Sequence, residues 1–234
     1  MQYQGYPQYQ QGRTTAQPVV DSREKFIVRT YNHLFGAIAL FAAIEVGLFM
    51  SGLAEKVAMA LFGNWLLVLG GFVVVSWLAS RAAHRSMSKG AQYAALGLYV
   101  LVEAIIFVPL LYIANEVAPG AIRSAAMVTM AGFAGLTGIA FWTRKDFSFL
   151  GGLLRWFGIM ALVAIVAALV FGFQLGTWFS VAMVAFAGAA ILYDTSKIMR
   201  DFPEDRYVAA ALELFASVAL MFWYVLRIFI SSRD

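Results

Sequence analysis

The sequence predicts an all-α polytopic membrane protein with seven transmembrane helices. Three observations carry that reading. Of the 234 residues, 62% are hydrophobic and only 13% are charged, about half the charge of an ordinary soluble domain. The apolar residues come in runs of about 20, the length that crosses a bilayer core at a rise of about 1.5 Å per residue. The charges that remain gather between those runs, mostly on alternate connections.

Two units follow from composition: a tail over residues 1–24 and a membrane domain over 25–234. The tail is polar to residue 20 and rich in Gln, Tyr, Gly and Pro. Such a segment buries too little apolar surface to offset its ordering entropy and reads as a disordered cytoplasmic end. It has no basic start followed by an apolar core, so it is not a secretory signal peptide.

The first span is predicted at 34–53, with Glu45 near its middle. The second is 64–80, with an earlier start inside 57–63 left open, and Arg81, His84, Arg85 and Lys89 follow it. The third, 91–113, carries Glu103 near its middle and Pro109 as an expected kink. The fourth, 121–142, holds Gly132, Gly135 and Gly138, small residues that permit close helix approach. The fifth, 149–171, follows Arg144, Lys145 and Asp146, and its Arg155 is placed to snorkel to the interface. The sixth, 175–193, ends at Asp194. A charged loop from Lys197 to Arg206 then leads into the seventh, 207–230, which carries Glu213, Ser217 and Arg227.

Lys and Arg mark the cytoplasmic side of a membrane protein. With the N-terminus inside, the inner segments hold twelve of them, from Arg13 to Arg206, against Lys56 and Arg123 on the outer connections. Arg227 and Arg233 lie against the rule, since seven spans put the C-terminus outside. A six-span or re-entrant reading would bring it inside. The seven-span topology sets Glu45 and Glu103 near the midplane, Asp194 at the inner end of the sixth span, and Glu213 about 9 Å into the seventh. Ser217 stands one turn above Glu213 on the same face.

Acids at such depth are costly and usually functional. A buried carboxyl group can exchange a proton or hold a cation. The plainer alternatives stay open: Glu45 and Glu103 as neutral hydrogen-bonding groups, Asp194 as a helix-end residue, Glu213 as the partner of a Lys or Arg.

The sequence excludes several classes. It has no cysteine, hence no disulfide and no thiolate site. Neither His-Glu-x-x-His, Gly-x-Ser-x-Gly nor a phosphate-cradling glycine motif is present, so no enzyme, resident cofactor or metal is expected. The last span lacks the lysine a retinal Schiff base needs. A net charge of +4 without a nucleic-acid-binding motif gives no case for nucleic-acid binding. The lipid bilayer is the one partner implied by composition.

Three stretches carry a resemblance. They are Thr143-Arg-Lys-Asp-Phe-Ser-Phe-Leu-Gly-Gly152, Ile191-Leu-Tyr-Asp-Thr-Ser196, and Ala211-Leu-Glu-Leu-Phe with Val225-Leu-Arg-Ile228; Arg29-Thr-Tyr31 fits as well. Together they resemble the Bax inhibitor/YccA family, also called the transmembrane Bax inhibitor motif family, from about residue 23 onward. The resemblance implies a bundle in which the other spans surround a central seventh helix. It also implies links to calcium leak. In calcium-leak members an aspartate like Asp194 pairs with a second aspartate in the last span, joined by an arginine at the end of the second. Here the second position falls on Ser217, and the arginine position falls near Ala79 or Ser80, with Arg81 just beyond. Glu213 is the candidate to replace the missing acid, and Ca2+ the ion to be carried or bound. The Ser217 variant and the 144–152 run are more similar to the bacterial YccA branch. That likeness implies an inner-membrane protein that engages the ATP-dependent protease FtsH as a slow substrate and competing inhibitor.

Overall fold

The computed structural model describes residues 16–85 and 88–232. It consists of α1 (Ala16–Met50), α2 (Leu53–Phe62), α3 (Trp65–Arg85), α4 (Lys89–Val117), α5 (Ala121–Thr143), α6 (Leu150–Phe171), α7 (Gly176–Arg200), a 3-10 turn (Glu204–Arg206) and α8 (Tyr207–Ser231). No strand occurs among the described residues. Among the described residues, six helices (α1 and α4 to α8) are long and apolar enough to cross a membrane. The 21-residue α3 carries a shorter apolar stretch, Val68–Ala79, so each of the seven expected spans has its helix.

Three boundaries differ from expectation, each for a physical reason. α1 begins at Ala16 rather than near residue 34. Phe26, Thr30, Leu34 and Ala37 recur at helical spacing and are all buried, so the segment before the span packs on the bundle. Residues 16–24, assigned to the tail from composition, form its first turns, and residues 1–15 lie outside the described residues. The stretch before the second span is a separate short helix, α2. Gly52 precedes it in the left-handed conformation at φ 72°, and its buried Ala54 and Ala58 pack with Val108 of α4. α7 does not stop at 193 but runs to Arg200. Its last turns stay helical because Asp194, Thr195 and Ser196 are buried inside the bundle rather than released to water. α4 continues through Pro109.

The last helix is central. α8 packs against α1, α3, α4, α5 and α7, and Ala209, Ala210 and Ala211 are wholly enclosed. Lipid supplies no hydrophobic drive between helices, so close van der Waals packing must hold them. Higher in the bundle aromatic rings do this. Phe107 of α4 meets Trp223 edge-on at 4.9 Å and stacks on Phe222 at 5.7 Å, while Phe41 of α1 meets Phe107 edge-on at 5.1 Å.

α6 is the opposite case: none of its residues is buried. It lies against α7, where Gly151 makes room for Tyr193; a Cβ there would sit 2.9 Å from the ring. Of the three glycines expected to allow close approach in α5, Gly132 does so against Met221 of α8, while Gly135 and Gly138 face open space.

The basic segments expected on one side do meet at one end of the bundle. Arg23 donates to the carbonyls of Phe202, Ile198 and Arg200 at 2.7, 3.3 and 3.2 Å. Lys89 donates to the Asp205 carbonyl, and Arg200 to the Arg144 carbonyl. Arg23 thus caps the last carbonyls of α7, where the helix dipole favours a cation. Replacing Arg23 with Ala should cost about 1–2 kcal/mol and lower the melting temperature in detergent, with Arg23→Lys between the two. Equal melting of all three proteins would remove the cap from the account.

Candidate functional site

The polar residues of α7 and α8 close into one cluster near the basic end. Asp194 and Lys197 are three residues apart on α7, and Glu213 and Ser217 four apart on α8, so each pair shares a helix face. The helices run antiparallel through a short turn, which sets the two faces in register. The Ser217 hydroxyl donates to Asp194 Oδ2 at 2.7 Å, both residues being buried. One turn nearer the turn, Lys197 Nζ donates to Glu213 Oε2 at 3.0 Å. Lys197 Nζ also lies 5.2 Å from the Tyr193 ring centroid and 5.1 Å from that of Phe202, close enough for cation–π attraction.

The cluster is enclosed from two sides. The buried Tyr31 hydroxyl of α1 is within electrostatic reach of Asp194 and beside Thr137 and Thr195, without closing a hydrogen bond of normal geometry to any of them. On the other side Ser196 Oγ accepts from the Phe147 N–H at 3.2 Å and donates to the Lys145 carbonyl at 3.5 Å. Arg200 Nη1 lies 3.9 Å from Asp146 Oδ2. Asp146 in turn accepts from the Ser148 N–H at 2.8 Å. That N–H, then the Ser148 hydroxyl and the Arg200 charge, hold the exposed Asp146 carboxyl below the usual aspartate value. The 143–152 and 191–196 stretches are therefore two halves of one contact, which ties the α5–α6 connection to the end of α7.

The remaining candidates lie apart. Arg81 is exposed, its guanidinium 5.2 Å from the Trp77 ring centroid. It forms no ion pair with Asp194 among the described residues, while Ala79 is buried. Glu45 and Glu103 are both buried. Neither oxygen of Glu45 and not Oε2 of Glu103 meets a hydrogen-bond partner among the described residues. Among the described residues, no hydrogen bond joins the two acids to each other or to Asp194. Glu213 is held by a lysine, and Asp194 by a serine. No three His, Asp or Glu side chains converge as a metal site among the described residues. His33 is bonded on both ring nitrogens, to the Arg29 carbonyl and to Tyr93, and His84 lies where no side chain is described.

The sequence reading missed Lys197, Arg23 and the part of Tyr31. The charge that follows Asp194 predicts a loop at Lys197. The available signal was its spacing of three from Asp194, which fits a helix continuing with both groups on one face.

These features define a polytopic α-helical membrane protein built around a polar clasp between its last two helices. The chain belongs to the Bax inhibitor family: the family profile described as inhibitor of apoptosis-promoting Bax1 matches residues 23–234. An uncharacterized protein of Pseudomonas aeruginosa is 29% identical over 219 residues, covering 90% of this chain and 92% of that protein. An uncharacterized protein of Neisseria meningitidis is 33% identical over 126 residues, 53% of this chain and 55% of its own. The plant protein LIFEGUARD 4 of Arabidopsis thaliana is 32% identical over 116 residues, 46% of each. The chain thus spans nearly all of the Pseudomonas relative and about half the length of the other two.

Proposed function

We infer that this is an inner-membrane protein that modulates an FtsH-type membrane protease in membrane-protein quality control, without catalysis of its own. The observation that carries the reading is the closed clasp. Asp194 is satisfied by Ser217 and Glu213 by Lys197, on a helix packed at the centre of the bundle. A protease that pulls proteins out of the membrane must separate α8 from its neighbours and strand those charges in lipid, which is costly. A slow substrate that occupies the protease follows. Residues 1–15, polar and rich in Gln and Tyr, are the candidate grip. They are cytoplasmic in the orientation that the basic segments favour, which leaves the C-terminus on the periplasmic side.

Deletion of residues 1–15 leaves α1 whole. The truncated protein should persist several times longer in cells than the full chain and should no longer slow the turnover of other protease substrates. Unchanged turnover of the truncated protein would refute the role given to the tail.

A second reading, a pH-sensitive calcium or proton leak, is favoured by the unpartnered buried oxygens of Glu45 and Glu103. The clasp weighs against it. Where the leak would need a second aspartate there is a serine, and where it would need an arginine there is Ala79 or Ser80, with Arg81 just beyond.

A further inference from the structure

We propose that the groove between α1 and α4 is a binding site for an anionic phospholipid of the leaflet at the basic end, its phosphate at the mouth and one acyl chain along the floor.

The groove is built from two matching stripes. His33, Gly36, Ala37 and Leu40 recur on one face of α1, and Tyr93, Leu96, Gly97 and Val100 on one face of α4, with the same spacing of three, four and seven residues. Both helices leave the basic end in the same direction, so each stripe begins polar and runs about 10 Å toward the membrane centre. The hollow is about 310 Å3, room for a stretch of one chain and not a whole lipid. Its floor is firm, since Ala37, Leu96 and Val100 are buried. Its width comes from Gly36 and Gly97, where an added Cβ would meet nothing within 4 Å.

The mouth carries cations and fixed hydroxyls. Arg29 precedes His33 by one turn, and Lys89 precedes Tyr93 by one turn. The two cations converge on Tyr207 of α8, with Lys89 Nζ 4.2 Å and Arg29 Cζ 5.6 Å from its ring centroid. Arg29 forms no ion pair among the described residues, and Lys89 donates to a backbone carbonyl, which leaves its charge uncompensated. The acids of the adjoining turn are otherwise engaged, Glu204 with Arg23 and Asp205 with Arg206. The Arg29 carbonyl must accept from His33 Nδ1, so in the neutral ring Nε2 accepts from Tyr93 at 2.9 Å. The Tyr207 hydroxyl lies 3.5 Å from that of Tyr93. Two cations and tyrosines at headgroup depth above a glycine-lined apolar channel are complementary to a phosphate with a chain attached.

The test is native mass spectrometry of the full chain, released from nanodiscs holding equal amounts of phosphatidylglycerol and phosphatidylcholine. The native protein should retain phosphatidylglycerol about tenfold over phosphatidylcholine. Exchange of Arg29 and Lys89 together for Gln should bring the two lipids to parity. Gly97→Leu fills the channel from an open position; it should strip the retained lipid while the melting temperature without lipid stays at the native value. Inorganic phosphate should not displace the lipid. Equal retention of both lipids by the native chain, a preference that survives both variants, or displacement by inorganic phosphate would each overturn the proposal, the last by showing a free-anion site instead.

Discussion

Replacing Lys197 with Met should destabilise the protein more than any other single exchange at the cluster. The lysine compensates Glu213 at 3.0 Å and lies within electrostatic reach of Asp194. Without it, the Glu213 carboxylate loses the Lys197 charge and repels the Asp194 carboxyl group across α7 and α8. Removing one member of a fully buried ion pair costs about 3–5 kcal/mol. These side chains keep about a quarter of their surface exposed, 27% and 22%, so screening and proton uptake lower the expected loss to about 1–3 kcal/mol. Adding Glu213→Leu should recover most of that loss, because an apolar pair of similar size carries no stranded charge. Thermal unfolding of the native chain, Lys197→Met and the double variant checks this. A single variant as stable as the native chain would show that the ion pair does not hold α8.

The second large effect is a gain. Ser217→Asp should raise calcium flux through the protein and make that flux depend on pH. The serine oxygen lies 2.7 Å from Asp194 Oδ2, so an aspartate there brings two carboxyl groups into contact. Two such groups cannot both ionise freely; they share a proton or take up a cation. In liposomes between about pH 6 and 8, calcium flux through the variant should exceed that of the native chain by about tenfold, equivalent to about 1.4 kcal/mol of barrier. Native flux should equal that of empty liposomes. A variant as silent as the native chain would mean that residue 217 does not control the leak. Native flux of similar size would restore the transport reading.

The membrane class and most helices were legible because long apolar runs have few alternatives. The first helix was misread at its start because its packed stripe, Phe26 to Ala37, is diluted by surface charges, so hydropathy alone put the boundary at the lipid. α2 was hidden because Gly52 and Gly63 break the chain without changing its composition. Asp194 and Glu213 are legible from the cost of charge at depth, Ser217 from its spacing to Glu213 and from the resemblance, and the structure gathers the three in one place. Their pairing was not legible, since it depends on how far α7 extends: a loop at Lys197 would send its amine to water, whereas two more turns of helix aim it at Glu213. Arg23 lies 175 residues from its acceptor Ile198, and no local pattern connects them. Arg81 stands just beyond the arginine position that the resemblance implies, but its side chain is exposed and lies over Trp77.

A closed clasp should make this protein a slow, competing occupant of an FtsH-type protease. The most direct measurement reconstitutes such a protease in liposomes with a fluorescent membrane substrate and adds the purified full-length chain. Substrate cleavage should slow as the chain is added, the chain itself should be consumed more slowly than the substrate, and Lys197→Met should be consumed faster and inhibit less. Substrate cleavage at an unchanged rate with the native chain present would contradict it.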